Sequence, residues 1–360
     1  MKAVVYTGPG KFSVEEVAID SPKAGELKIR MAATGVCQSD LSVVKGVLPL
    51  PPPMVLGHEG AGVVEEIGEG VTSHAVGDHV VLSFVPACGR CPDCIRQRPT
   101  FCTAGEPNGL MIDGTSRVRM GDQAIGVMQF LGCMAEHAVV PATSAVKIDA
   151  GIPLDRAALV GCGVMTGVGA AINTAGVTPG SSCAVFGCGG IGLSIIQGCR
   201  IAGADRIIGV DVADNKLELA RKFGATDVVN GSDGTAVAQI QELSSGGVDY
   251  SFEAVGNAAL MGQTYDAARR AGTAVIVGVG AVTETFPMNA LLVSTMGKTL
   301  KGSFYGDANP HADFPMLLKL YQGGKLDLDG MVTNTYSIDE APQAFADLEK
   351  GLNARGVIVY

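Results

Sequence analysis

Basic residues are in short supply: 26 Lys and Arg stand against 36 Asp and Glu, a formal net charge of −10. Phosphate backbones need a basic surface, so a nucleic-acid partner is not expected. Charge is sparse altogether, at 17% of residues, and between Arg156 and Arg200 there is none. That stretch still lacks an uninterrupted apolar run of the roughly 20 residues a membrane span needs, because Pro179-Gly180-Ser181-Ser182 breaks it. A buried helix followed by a buried parallel strand accounts for it instead, and no membrane partner is expected. The start, MKAVVYTGPG, has no long apolar h-region of the kind that marks a secretory signal, so the cytoplasm is the expected compartment. Internal repeats and low-complexity segments are also lacking.

What the chain has in quantity is glycine, 50 residues of 360, with 47% hydrophobic residues and ten cysteines. The length suits two domains, and the glycine suits an α/β protein with many tight turns. Short β-branched runs punctuated by Gly, Pro and Asp (KAVVYTG, ELKIRMAATG, GAGVVEEIG, GDHVVLSF) predict a β-rich first part. From Ser182 onward strands and helices alternate. CAVFG, a helix over 190–202, RIIGVD, NKLELARKFG, DVVN, VDYSFEAVG, a helix near 261–271 and TAVIVGVG predict a doubly wound parallel sheet. The last ~55 residues return to the mixed pattern and end in GVIVY.

Gly187-Cys188-Gly189-Gly190-Ile191-Gly192 lies between a predicted buried strand and a predicted helix. Such a loop lets backbone amides approach a pyrophosphate at a helix N-terminus. About 20 residues further on, the next strand ends in Asp211, whose carboxylate suits the ribose hydroxyls of NAD. Val212-Ala213 offers no arginine for a 2′-phosphate, so NAD(H) is expected over its phosphorylated relative.

Four of the cysteines crowd together as Cys88-x2-Cys91-x2-Cys94-x7-Cys102. Four thiolates at that spacing can close a tetrahedral shell around one zinc, leaving no position for substrate, so the site reads as structural. An iron–sulfur site or an interaction finger is the alternative, and the acidic chain disfavours a nucleic-acid finger. The remaining Cys37, Cys133, Cys162, Cys183, Cys188 and Cys199 are scattered. Without an export signal they read as thiols or metal ligands, not disulfides.

With these features in place, the whole chain resembles the zinc-containing medium-chain dehydrogenases, closest to their alcohol dehydrogenase branch. The resemblance rests on Gly35-Val36-Cys37-Gln38-Ser39-Asp40, Gly57-His58-Glu59-Gly60-Ala61-Gly62, the four close cysteines, Asp113-Gly114-Thr115-Ser116-Arg117, Gly161-Cys162-Gly163 and the glycine loop. It implies a GroES-like catalytic domain (1–163 and 305–360) and a Rossmann NAD-binding domain (164–304). It also implies two zinc ions per chain, the second a catalytic zinc on Cys37, His58 and Cys162. Two thiolates and an imidazole leave a fourth position open, as chemistry at the metal requires.

By the same resemblance, Asp40 orients the histidine ligand, Glu59 stands behind the metal, and Ser39 meets the substrate oxygen. Thr166, Lys216, Val279 and Arg355 join Gly187, Gly189, Gly190, Ile191, Gly192 and Asp211 as cofactor contacts. Leu48, Phe84 and Leu131 line the substrate pocket. Two positions depart from the family pattern: Ser42 stands where relatives end a proton relay in histidine, and Gln38 where some carry a basic residue. A leucine at 48 argues against a glutathione adduct of formaldehyde, whose dehydrogenases carry an acid there. The expected activity is therefore interconversion of primary or secondary alcohols with aldehydes or ketones, on medium-sized apolar substrates, aromatic or allylic. Thiol-dependent formaldehyde dehydrogenase, a nicotinoprotein, and an inactive zinc-stabilised scaffold are the competing readings. The long segment between Cys102 and Cys162 resembles dimeric members, so a homodimer is expected.

Overall fold

The computed structural model describes residues 1–104 and 108–360. The chain divides into two compact units, one of Met1–Gly163, Asn309–Gly323 and Leu328–Tyr360, the other of Val164–Ala308 and Gly324–Asp327. The second unit thus keeps residues 305–308, and takes Gly324–Asp327, which the sequence texture assigns to the first. Among the described residues no single helix is long and apolar enough to cross a membrane.

The first unit is built on strand Glu26–Gly35. Its Leu27, Ile29, Met31 and Ala33 alternate inward, as a pleated strand with one face on the core must. Antiparallel neighbours Gly60–Ile67, His137–Pro141 and Arg355–Val359 pair with it. Strand Arg355–Val359 brings the far end of the chain beside residues 33–35 through the register Val357↔Gly35. A second sheet runs through Lys2–Gly8, Met54–Val55 and Gln123–Val127. Leu27, Ile29, Met31, Val64, Val80 and Leu82 form one of the cores. Each such side chain, fully buried, contributes about 1.5–3 kcal/mol.

The second unit holds a six-stranded parallel sheet in the order Asp227–Asn230, Arg206–Asp211, Ser182–Phe186, Val248–Glu253, Ala268–Ile276, Thr299–Gly302. Numbered along the chain this is 3-2-1-4-5-6, the doubly wound order in which a dinucleotide binds where the winding reverses. The reversal falls between Ser182–Phe186 and Val248–Glu253. Helix Gly190–Ile201 follows the first of these strands directly.

Two boundaries differ from the sequence expectation. The helix expected near 261–271 is Ala258–Ala267, and the strand begins at once with Ala268. Alanine is compatible with either state, and pairing with Val248–Glu253 decides. That strand stops at Ile276, short of the Gly280 where the apolar run ends. The amides of Val277 and Gly278 both turn to the Glu253 carbonyl.

Candidate metal centre and dinucleotide loop

Sequence neighbours of the fold's central strand supply the first donor. Strand Glu26–Gly35 runs into Val36 and Cys37, which caps the short helix Gln38–Val44. His58 sits two residues before strand Gly60–Ile67, the partner of Glu26–Gly35, so sheet pairing alone brings it close. Cys162 arrives after the turn Ala158–Gly161, where a Cβ on Gly161 would meet the Leu82 carbonyl. The ligand atoms of Cys37, His58 and Cys162 all lie within 4.8 Å of one another, and all three residues are buried.

The imidazole orientation follows from one carboxylate. Asp40, fully buried on the helix after Cys37, accepts the Gly57 N–H with Oδ1 at 2.9 Å, and the same oxygen is hydrogen-bonded to His58 Nδ1 at 3.4 Å, with Oδ2 3.3 Å from that nitrogen. With Nδ1 turned to the acid, Nε2 is the nitrogen left for a metal. Burial pulls the His58 pKa down, but the Asp40 charge and hydrogen bond, with Cys37, outweigh it and push the imidazole up to about 10. A hydrogen bond with Cys162, then the His58 charge, holds the Cys37 thiol well below its ordinary range despite burial. Two thiols and an imidazole gathered out of water are a donor set that a soft-to-borderline divalent cation fits. Phe84 lies edge-on to the ring, centroids 5.8 Å apart.

The four close cysteines also converge, with sulfurs within 4.8 Å of one another. Pro92–Ile95 and Pro99–Phe101 are single helical turns that fold the loop around them. The backbone amides of Cys88, Cys91, Cys94 and Ala104 point at sulfurs of Cys102, Cys88, Cys91 and Cys102, at 3.3–3.5 Å. Amides aimed at sulfur favour thiolate. The Cys94 amide, then that of Thr103, brings the Cys91 pKa down to about 6, whereas burial pushes Cys94 up to about 12. Four mutually close thiols cannot all ionise without a cation among them, so this set fits a metal with a closed shell.

Gly187 occupies the left-handed region at φ +92, a conformation favouring glycine, and a Cβ on Gly192 would strike the Gly187 carbonyl. Gly189 instead faces open space, with nothing within 4 Å of where its Cβ would stand. Strand-to-helix turn and open backbone together make a cradle for a phosphate at the N-terminus of helix Gly190–Ile201. Ile191 lies in the first turn of that helix. Asp211 closes the neighbouring strand and is tied into the loop: Oδ2 accepts the Cys188 N–H at 2.8 Å, and Oδ1 accepts Val212 and Ala213. Lys216 stands near it; burial pulls its pKa down and the Asp211 charge opposes. This donor set fits a dinucleotide.

Residues 23–150 match the alcohol dehydrogenase GroES-like domain, and residues 190–323 the zinc-binding dehydrogenase domain. An alcohol dehydrogenase zinc-binding domain protein from Burkholderia ambifaria is 35% identical over 99% of this chain and 98% of its own, with a TM-score of 0.95. The chain belongs to the zinc-dependent medium-chain alcohol dehydrogenases. Benzyl alcohol dehydrogenase from Acinetobacter calcoaceticus is 34% identical over 99% of this dehydrogenase and 98% of its own chain, TM-score 0.95. A zinc-binding dehydrogenase from Sinorhizobium meliloti, bound to NADP, is 29% identical over 100% and 99%, TM-score 0.83.

Not every expected site residue of the dehydrogenase stands where the family resemblance put it. Leu131, expected to line a pocket, is 1% exposed and packed with Leu27 and Val80, leaving no surface for a ligand. Leu48 packs against a different cluster, around Met54 and Leu56. Ser39 is half-buried in the first turn of helix Gln38–Val44, and Ser42 is half-buried one turn on. Thr166 is buried in helix Gly163–Gly169, and Val279 is 68% exposed in the loop after strand Ala268–Ile276. Arg355 is buried, its Nη2 donating to Glu59 Oε2, so its charge is met inside the first unit.

Glu253 was passed over in the sequence. This buried acid ends strand Val248–Glu253, and its Oε1 accepts the amides of Val255, Gly256 and Asn257 at 2.7–3.2 Å. Burial raises its pKa against those bonds. An acid closing an apolar strand just past the winding reversal was the available signal.

Proposed function

We propose that this dehydrogenase uses NAD(H) to interconvert medium-sized apolar alcohols, aromatic or allylic, with their aldehydes or ketones. A catalytic zinc is held by Cys37, His58 and Cys162, and a structural zinc by Cys88, Cys91, Cys94 and Cys102. The observation that carries the reading is the contrast between the two donor sets: one offers three ligands and the other four. Zinc on the three-donor set supplies a Lewis acid that acidifies an alcohol and polarises a carbonyl, and the nicotinamide supplies the hydride acceptor.

The chain's own groups do the rest. Asp40 keeps the Nδ1 proton of His58 in place, which holds the ring's orientation and tautomer. The Ser39 hydroxyl receives the proton that the alcohol gives up. Ser42, one turn beyond Ser39, has no basic side chain to take that proton onward. Asp211 binds the ribose hydroxyls of NAD, supported by the absence of arginine in Val212-Ala213. Glu253 holds the turn 255–257 beside Val279, whose backbone lies where a side chain on Gly256 would be.

Similarity to a benzyl alcohol dehydrogenase supports the aromatic substrate class. The exposed edge strand Thr299–Gly302, with Leu300 exposed on it and Leu291 and Val293 exposed in the preceding helix Ala290–Thr295, supports a homodimer. A panel of alcohols followed by NADH absorbance tests the proposal. Benzyl or allylic alcohols should give the larger kcat/KM with NAD than with NADP. Preference for S-hydroxymethylglutathione, or for NADP, the dinucleotide bound in the Sinorhizobium structure, would overturn the substrate or cofactor assignment.

A further inference from the structure

Asp211 and Glu253 end two strands of the same parallel sheet, one on either side of strand Ser182–Phe186. The doubly wound order consists of two mononucleotide-binding halves. With Asp211 on the ribose of the adenosine, the half built on Val248–Glu253, Ala268–Ile276 and Thr299–Gly302 is left for the nicotinamide. Asp211 is partly exposed and can meet a ligand itself, whereas Glu253 is fully buried and cannot.

Three backbone segments meet at Glu253. Its Oε1 accepts the amides of Val255, Gly256 and Asn257 at 2.7–3.2 Å. Its carbonyl accepts those of Val277 and Gly278 at 2.9 and 3.1 Å, and the next residue, Ala254, donates to the Phe186 carbonyl at 2.9 Å, directly before the glycine loop. The segments touch without slack. A Cβ on Gly187 would overlap the Val255 side chain, one on Gly256 the Val279 backbone, and one on Gly278 both the Gly256 nitrogen and the Glu253 carboxylate. Helix capping does not account for the acid, because Asn257 caps helix Ala258–Ala267 itself, accepting the Leu260 N–H at 3.1 Å. Stability does not account for it either. Oε2 is buried with no partner among the described residues, and an unpaired buried oxygen is destabilising.

We infer that Glu253 is a positioning residue for the nicotinamide half of the dinucleotide, bracing the turn 254–257 so that it sets the Val279 backbone in place. The adenosine half is left to Asp211. The inference rests on the proposed dinucleotide site. Its consequence is selective: removing the brace should weaken binding of the whole dinucleotide and spare its adenosine part.

The test measures NADH and AMP affinities of the full-length, zinc-loaded protein, by fluorescence and calorimetric titration, in wild type, Glu253→Ala, Glu253→Asp and Glu253→Gln. AMP fills only the adenosine half. Glu253→Asp keeps the charge but draws it back by one methylene, and Glu253→Gln keeps an oxygen for the three amides. The Ala and Asp variants should each bind NADH about tenfold more weakly or worse, the scale of one lost hydrogen bond. Their AMP affinity should be unchanged, which certifies the fold, and the emission of bound NADH should shift. Glu253→Gln should stay close to wild type. Glu253→Asp carries the test if Glu253→Ala does not fold. Equal losses for NADH and AMP would reduce Glu253 to a general structural brace and overturn the inference. So would wild-type NADH affinity in the Ala and Asp variants. If wild type itself has no affinity for NADH, the dinucleotide reading falls, and the inference with it.

Discussion

Asp40 Oδ1 takes the Gly57 amide at 2.9 Å and lies 3.4 Å from His58 Nδ1, so one carboxylate fixes both the imidazole and the peptide leading into it. Asp40→Asn preserves an acceptor for Gly57 and removes the charge that holds the ring. Zinc affinity at the three-donor site should fall by about 10- to 100-fold. Competition with a chelator of known affinity measures this, and unchanged affinity would reduce Asp40 to a packing role.

The cysteine quartet makes a different prediction. Cys94→Ser should lose one zinc per chain without emptying the other site, since no residue is shared between the two sets. A metal that folds its own loop contributes folding free energy. Losing about 2 kcal/mol would lower the unfolding midpoint by roughly 4–8 °C for a unit of this size. Metal analysis together with thermal unfolding checks both halves.

Asp211 should decide the dinucleotide. Asp211→Ser combined with Val212→Arg should lower kcat/KM for NAD and raise it for NADP, because it removes a carboxylate that repels the 2′-phosphate and adds a cation to receive one. Part of the cost will be structural, since Asp211 also accepts the Cys188 amide. Asp211→Asn, which keeps an acceptor there, separates the two effects: it should retain the fold and lose cofactor preference. Steady-state kinetics with both cofactors gives the answer.

Ser42→His should alter the pH dependence of alcohol oxidation by placing a titratable group one turn beyond Ser39, with an ordinary pKa near 6.5. The profile of kcat against pH is the measurement. An identical profile would mean that the side chain at 42 lies off the proton's route.

Asp113 carries the acid-stability prediction. Burial acts to raise its pKa, but hydrogen bonds from Thr115, Lys23 and Arg117 outweigh it and hold the carboxyl well below the usual range. Its folded pKa is therefore below the unfolded one. The stabilisation is present above about pH 4, the ordinary aspartate value, and is lost as pH falls through the folded pKa. Asp113→Asn should therefore lower the unfolding midpoint at neutral pH and do so less and less below about pH 4. The side chain is 40% exposed, so the effect will be small and salt-sensitive.

The Asp113-Gly114-Thr115-Ser116-Arg117 run also shows how far a motif can be read in one dimension. As sequence it is a family marker with no evident task. In the fold, Arg117 is 2% exposed and its guanidinium grips Glu26 at 2.6 and 2.8 Å and Asp113 at 2.9 Å. Nothing in the spacing of residues 26 and 117 signals that pairing. The helix near 261–271 failed for a related reason: Ala268 onward is locally neutral, and sheet pairing overrode it.

What the sequence alone determined is whatever chemistry is local. Cys88, Cys91, Cys94 and Cys102 lie within one loop, so their spacing already implies a shared ion. The glycine loop and Asp211 lie within one strand–helix–strand unit, whose geometry is nearly invariant. The alternation of strands and helices likewise announced the parallel sheet. Only the tertiary structure gathered Cys37, His58 and Cys162, which the sequence could associate by family likeness but not by spacing. It alone sealed Leu131 in the core, turned Arg355 onto Glu59, and revealed Glu253 at the winding reversal. Contacts between residues far apart along a chain are set by which strands pair and which faces pack. That information is carried by the whole pattern and not by any short part of it.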